Sequence, residues 1–130
     1  MYRAVTRGIQ VTVTPQYLAD KSSPEQDRYF WAYTIEIKNL GDVAVQLKTR
    51  HWKITDGHGH VQEVRGPGVV GQTPTIGPGQ SFEYTSGCPL RTASGIMAGS
   101  YQMEQPDGTL VDIAIPPFSL DSPFTRRSLN

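Results

Sequence analysis

Glu63-Val64-Arg65-Gly66-Pro67-Gly68-Val69-Val70-Gly71-Gln72-Thr73-Pro74 contains the spacing Gly66-x-Gly68-x-x-Gly71. In dinucleotide-binding folds that spacing cradles a pyrophosphate, provided it ends a strand and opens a helix whose amino end faces the phosphates. Here the third glycine is followed by Gln72-Thr73-Pro74-Thr75-Ile76-Gly77-Pro78-Gly79. Proline lacks an N–H and its ring clashes with the preceding turn, so no helix opens at this point. Without the helix there is no βαβ unit, and the stretch reads instead as a constrained loop between strands.

The flanking sequence agrees. No segment has helical periodicity, while alternation of apolar and polar residues recurs. Ile9-Gln10-Val11-Thr12-Val13-Thr14 places its apolar residues on one face, and Pro15 is expected to bend or end that strand. Tyr29-Phe30-Trp31-Ala32-Tyr33-Thr34-Ile35-Glu36-Ile37 carries a continuous inward row at odd positions, so it is expected to be central, with Trp31 or Tyr33 reaching a hydrogen-bond partner at the edge of the core. Asn39-Leu40-Gly41-Asp42 makes a reversal, with Gly41 available for a positive φ. The next run is apolar at odd positions in Val43-Ala44-Val45-Gln46-Leu47 and at even positions by Trp52 and Ile54. Such a change of face predicts a bulge, or a crossing between sheets, near Arg50-His51.

Asp56-Gly57 begins a turn, Val61-Gln62-Glu63-Val64 pairs back, and the glycine loop follows. Strands are further expected at Gln80–Thr85, Ser100–Glu104 and Leu110–Ile115. Ser86 to Gly99 reads as turn-rich, and Pro116-Pro117 as the end of regular structure. Seven or eight strands with closely spaced turns predict an all-β, antiparallel sandwich of immunoglobulin or fibronectin type III kind, with a small β-barrel as the alternative. The organisation expected is a single domain over 1–130, with a core from about 5 to 120 and a flexible tail from about 121 to 130.

Twelve basic and twelve acidic residues cancel, leaving no field to attract nucleic acid or an anionic membrane, so neither is expected as a partner. The single cysteine, Cys88, excludes an internal disulfide. With no signal-peptide pattern and no long apolar run, the chain is expected to be soluble and cytoplasmic.

Three constellations could carry chemistry. His58-x-His60 beside Asp56 offers two imidazoles and a carboxylate to a divalent metal, against the simpler reading of a polar surface turn. Amides around Gly66, Gly68 and Val69, with Arg65 adding charge, could nest a phosphate-containing anion, although Pro67 removes one donor. Against this stands the reading that the glycines only supply unusual backbone angles, in a loop crossing between sheets with Val69-Val70 as its apolar anchor. The same stiff, partly apolar loop could grip a protein partner. Cys88 has no histidine near it in sequence, and no serine lies in a nucleophile-elbow pattern, so no catalytic set is assembled.

Across these residues the chain resembles the ApaG family. The resemblance rests on Val11-Thr12-Val13, Trp31-Ala32-Tyr33-Thr34-Ile35, Gln46-Leu47, Arg50-His51-Trp52 and Ile54-Thr55-Asp56-Gly57. It continues through Glu63-Val64-x-Gly66-x-Gly68-Val69-Val70-Gly71-x-x-Pro74, Pro78-Gly79, Phe82-x-Tyr84-x-Ser86-Gly87 and Met97-x-Gly99-x-Tyr101-x-Met103. It implies a fibronectin type III-like sandwich in a bacterial cytoplasmic protein tied to cobalt resistance and magnesium efflux, with no established catalytic activity. Similar domains in eukaryotic F-box and polymerase-interacting proteins serve protein–protein contact. Relatives often carry asparagine where this chain has His58, so the cobalt association does not transfer to the histidines. The leading expectation is a non-enzymatic, cofactor-free interaction module. Its contact surface would run along Arg50, His51 and Trp52 and the loop Arg65, Gly66, Gly68, Val69, Val70, Gly71 and Pro74. Binding of pyrophosphate or a nucleotide phosphate by that loop, and divalent-metal binding at Asp56, His58 and His60, are the alternatives.

Overall fold

The computed structural model describes residues 1–124. Nine strands follow in order: β1 (Tyr2–Thr6), β2 (Ile9–Tyr17), β3 (Tyr29–Asn39), β4 (Val45–Asp56), β5 (Val61–Pro67), β6 (Thr75–Ile76), β7 (Ser81–Leu90), β8 (Ser94–Glu104) and β9 (Leu110–Asp121). They form two antiparallel sheets, β1-β2-β3-β7 and β5-β4-β8-β9, with β6 also paired to β4. The fold is thus the expected immunoglobulin/fibronectin type III-like sandwich. The count exceeds seven or eight because β1 and the two-residue β6 are too short or too weakly alternating to stand out in sequence.

The core lies between the inward rows of the two sheets. Trp31, Ile35 and Ile37 of β3 meet Leu47 and Trp52 of β4, Met97, Tyr101 and Met103 of β8, and Ile113, Ile115 and Phe118 of β9. β3 is central as expected, between β2 and β7, and Trp31 Nε1 donates to Asp121 O at 2.8 Å. Tyr33, Trp52 and Phe118 form a mutually tilted aromatic cluster with centroids 5.4 to 6.0 Å apart, in the range of edge-to-face packing.

Several local expectations need correction. Pro15 neither ends nor breaks β2, because β1 pairs only as far as Val13 and the strand is an edge on that side from there on; a missing N–H there costs nothing. Pro116-Pro117 likewise sits inside β9, an edge strand, beside a register shift opposite Met97–Gly99. The segment Ser86–Gly99 is mostly strand, interrupted only between Leu90 and Ser94. Its glycines serve close approach: a Cβ on Gly99 would lie 2.1 Å from His51 O. The change of face in β4 is made by a bulge between Leu47 and Thr49, slightly earlier than expected, and the strand stays in one sheet. The turn after β3 is organised by the buried Asn39 side chain rather than by a positive φ at Gly41. Its amide donates to Val43 O and Ile76 O, and its carbonyl accepts from Gly41 N. The described chain continues past Asp121 to Phe124, whose ring packs 6.2 Å from Tyr29; the remainder of the expected tail, 125–130, lies outside the described residues.

Candidate functional site

The glycine loop does not cross between sheets. β5 pairs with β4 over Thr49–Thr55 and β6 with Val45–Gln46, so residues 68–74 bridge two strands that lie on the same edge of β4. Within the bridge Val69 and Gln72 exchange both backbone hydrogen bonds, at 2.8 and 2.9 Å. Val70 (φ 44°) and Gly71 (φ 80°) occupy the turn between them. Two positive φ values closed by reciprocal hydrogen bonds make a type I′ hairpin turn, which favours Asn-Gly. A β-branched valine in the left-handed region is an outlier and costs on the order of 1 kcal/mol or more.

The hairpin separates the two valines. Val69 is 1% exposed and belongs to the core, whereas Val70 is 54% exposed. Of the two valines only Val70 is therefore accessible, and Val69 is the anchor. Pro74 O accepts from Leu47 N, and Thr73 O from Gln46 Nε2, so the loop's return is tied down as well.

The pleat of β4 also divides Arg50, His51 and Trp52. His51 faces the outer surface, where Nε2 meets Glu63 Oε1 at 2.7 Å. The His51 hydrogen bond holds the Glu63 carboxyl below its ordinary range. Arg65 lies opposite His51 on the neighbouring strand, also turned to Glu63, with 3.7 Å between the charged atoms. Trp52 is buried. Arg50 points inward, and its Nη1 donates to Pro67 O and Gly68 O, both at 3.0 Å. Its guanidinium lies over Gly66, where a Cβ would come within 2.9 Å of Nη1. Gly66 thus makes room for Arg50, while at Gly68 (φ 62°) a Cβ would stand 2.3 Å from Gln72 O.

This arrangement removes the anion nest. Gly68 N donates to Lys48 O and Val69 N to Gln72 O. The loop turns carbonyl oxygens toward a cation, the reverse of a phosphate cradle. Arg65, expected to add charge to the nest, is on the outer face.

Arg50 forms one wall of a slot of about 370 Å³ at the open side of the sandwich, between the edges β7 and β5. Tyr33, Tyr84 and Ser86 face it from the other sheet, and Val70 and Gly71 form its lip. The Tyr84 and Tyr101 hydroxyls are 2.5 Å apart. Burial pushes the phenols of Tyr33, Tyr84 and Tyr101 above their ordinary range, so all three remain neutral donors. Sequence reasoning missed Tyr33, Tyr84 and Ser86 as site residues because they read as core positions of alternating strands.

Asp56, His58 and His60 line a separate, broad groove of about 1040 Å³ at one end of the sandwich. His60 Nδ1 stands 3.5 Å from Asp56 Oδ2, but the His58 ring does not join them as a third ligand. Asp56 Oδ1 accepts the amides of His58 and His60 at 2.8 and 3.0 Å, and the two rings are 6.3 Å apart. Against some loss of hydration, those amides of His60 and His58 keep the Asp56 carboxyl below its usual range. Among the described residues no group of three or more His, Cys, Asp or Glu side chains could hold a metal ion. The carboxylate is a turn cap, which corrects the metal expectation. Cys88 is buried and its thiol is pushed up to about 11 by desolvation, so it is not an activated nucleophile. Among the described residues no helix is long and apolar enough to cross a membrane.

Comparison with known proteins places these features in context. A family model described as "ApaG domain" matches residues 19–105. "Protein ApaG" of Afipia carboxidovorans is 64% identical over 130 residues, covering all of both chains, and that of Xanthobacter autotrophicus is 60% identical over the same span. The crystal structure of a Bordetella pertussis protein described as ApaA superposes with a TM-score of 0.87 at 49% identity, covering 90% of this chain and 95% of that one. The C-terminal domain of wzt, at 11% identity and a TM-score of 0.55, covers 92% of this chain and 76% of that one, and shares the fold alone.

Proposed function

This chain belongs to the ApaG family, and from that premise we propose that it is a non-catalytic module of the cytoplasm that grips a protein partner through the slot beside its glycine loop. The observation that carries this reading is Val70, a β-branched residue held at φ 44° and 54% exposed at the lip of the slot. An exposed valine gains nothing from burial that would offset left-handed backbone strain, and strain retained at a surface position points to a use at that position. Every other part of the loop supports a stiff presentation of this residue: Val69 anchors it, Arg50 is clamped by two loop carbonyls, and Pro74 O is bonded back to β4. A preorganised apolar tip loses little entropy on docking. The partner reading is preferred to anion binding because the Gly68 and Val69 amides are already donated within the fold. The family's link to cobalt resistance and magnesium efflux is then exerted through the partner rather than through a metal held by Asp56, His58 and His60.

The test is a photo-crosslinking amino acid placed at position 70 in the source cells, with position 85 on the outer face of β7 as control. A discrete set of adducts from position 70, absent from position 85, is expected. Identical adduct patterns from both positions would refute the reading.

A further inference from the structure

Arg50 is used only in part by the fold. Nη1 spends both of its N–H groups on Pro67 O and Gly68 O, and no partner is found among the described residues for Nη2 or Nε. None of the ion pairs of the described residues includes it. Half-buried guanidinium groups are ordinarily matched to a carboxylate or phosphate, for which their planar fork is suited. Here the fork faces a slot, and the opposite wall supplies hydroxyls. Tyr33 and Ser86 present these hydroxyls, and burial keeps the Tyr33 phenol protonated, so its O–H is available as a donor at the slot.

We propose that this slot binds the side-chain carboxylate of a glutamate or aspartate on the partner protein, with Arg50 as the counter-charge and Tyr33 as the second donor. The inference rests on the partner reading above and names the chemistry that reading lacks. Charge complementarity selects the ligand. Arg50 is the single cation lining the slot, so one negative charge is balanced, whereas phosphate or pyrophosphate would bring charge that nothing offsets. The Gly68 and Val69 amides, which could supplement the arginine for a phosphate, are spent on Lys48 O and Gln72 O. Pro67 and Val70 in the lining are apolar and suit the methylenes of an acidic side chain better than a free anion.

The test titrates the full chain with N-acetyl-glutamate 1-amide while the Arg50 Nε–H and the amides of residues 68–72 are followed by NMR. N-acetyl-glutamine amide, N-acetyl-glycine and inorganic phosphate serve as comparison ligands. Saturable shifts at Arg50 with millimolar affinity are expected for the glutamate compound, with at least tenfold weaker binding of its neutral glutamine analogue. Tyr33→Phe keeps the ring packing and is expected to weaken the glutamate compound by about fivefold, roughly the effect of one hydrogen bond. Arg50→Gln is expected to abolish the shifts, and Tyr33→Phe keeps the test decisive should that variant fail to fold. Equal binding of the glutamine analogue, no change in Tyr33→Phe, or tighter binding of phosphate would overturn the proposal. Tighter binding of N-acetyl-glycine would overturn the side-chain assignment in favour of a chain terminus. Adducts at position 70 with a flat titration would refute the carboxylate alone. A clean titration with indistinguishable adducts from positions 70 and 85 would refute the partner reading while leaving the slot an acid-binding site.

Discussion

Gly66→Ala isolates the relation between the glycine motif and Arg50. Gly66 has no positive φ, so alanine meets no backbone strain there. The cost comes from its Cβ, which would stand 2.9 Å from Arg50 Nη1 and 3.1 Å from Cζ and Nη2. The guanidinium is the end of a long side chain and can move, but moving it lengthens both hydrogen bonds to Pro67 O and Gly68 O. Hydrogen bonds to charged groups contribute about 1.5–3 kcal/mol each when intact. A half-buried arginine recovers part of that from water, so the loss is about 2 kcal/mol in total. Alanine in a strand is favoured over glycine by about 0.5–1 kcal/mol, leaving a net destabilisation of about 1–1.5 kcal/mol. In an Arg50→Ala background the clash is absent, and the same substitution should stabilise by about 0.5 kcal/mol. The sign therefore reverses between backgrounds, with a coupling of about 2 kcal/mol, which a double-mutant cycle from urea unfolding resolves. An equal cost in both backgrounds would show that Gly66 is kept for some reason other than Arg50.

Gly99→Ala should be far more damaging, because its Cβ would lie 2.1 Å from a backbone oxygen, His51 O, in the middle of the β4–β8 ladder. A loss of about 3 kcal/mol or failure to fold is expected, read from the urea midpoint or soluble yield. Tyr84→Phe strands the buried Tyr101 hydroxyl at about 1–3 kcal/mol, and Tyr84→Phe with Tyr101→Phe should recover much of that loss in thermal unfolding. Cys88 gives an alkaline signature. Its thiol rises from 9.0 to about 11 in the fold, so the unfolded chain releases that proton first as pH increases. The stability tied to the neutral thiol is fully present below the unfolded value and is lost as pH climbs through about 11. Cys88→Ala should make unfolding less steeply dependent on pH between those values, by on the order of 2 kcal/mol across the interval, measured against wild type in parallel urea titrations.

The fold was legible because period-two alternation is strong where both faces of a strand have fixed fates. Trp31, Tyr33, Ile35 and Ile37 identified the central strand, and the change of parity from Leu47 to Trp52 identified a bulge. Proline and glycine misled. Pro15, Pro116 and Pro117 lie where a strand has no neighbour to receive an N–H, and Gly87, Gly95 and Gly99 permit close packing rather than turns. Alternation along a strand likewise says which face a side chain takes, but not how far it reaches across the sandwich. Arg50 was therefore grouped with His51 and Trp52 in sequence, although the pleat sends His51 to the outer face and Arg50 to the slot. The motif Gly66-x-Gly68-x-x-Gly71 lacks the helix of a dinucleotide cradle in the sequence and in the fold alike, yet its positive content was not visible. That content depends on where Arg50 lands across the ladder, and on a type I′ turn with valine where asparagine is usual.

The strain at Val70 therefore offers the most direct test of the account. Asparagine tolerates the left-handed region, so Val70→Asn should raise stability by about 1 kcal/mol and leave the fold unchanged. Measured on the same preparations, recovery of the partner identified through position 70 should fall at least tenfold. Higher stability with undiminished recovery of that partner would mean that the strained valine is not retained for contact, and the central claim would fail.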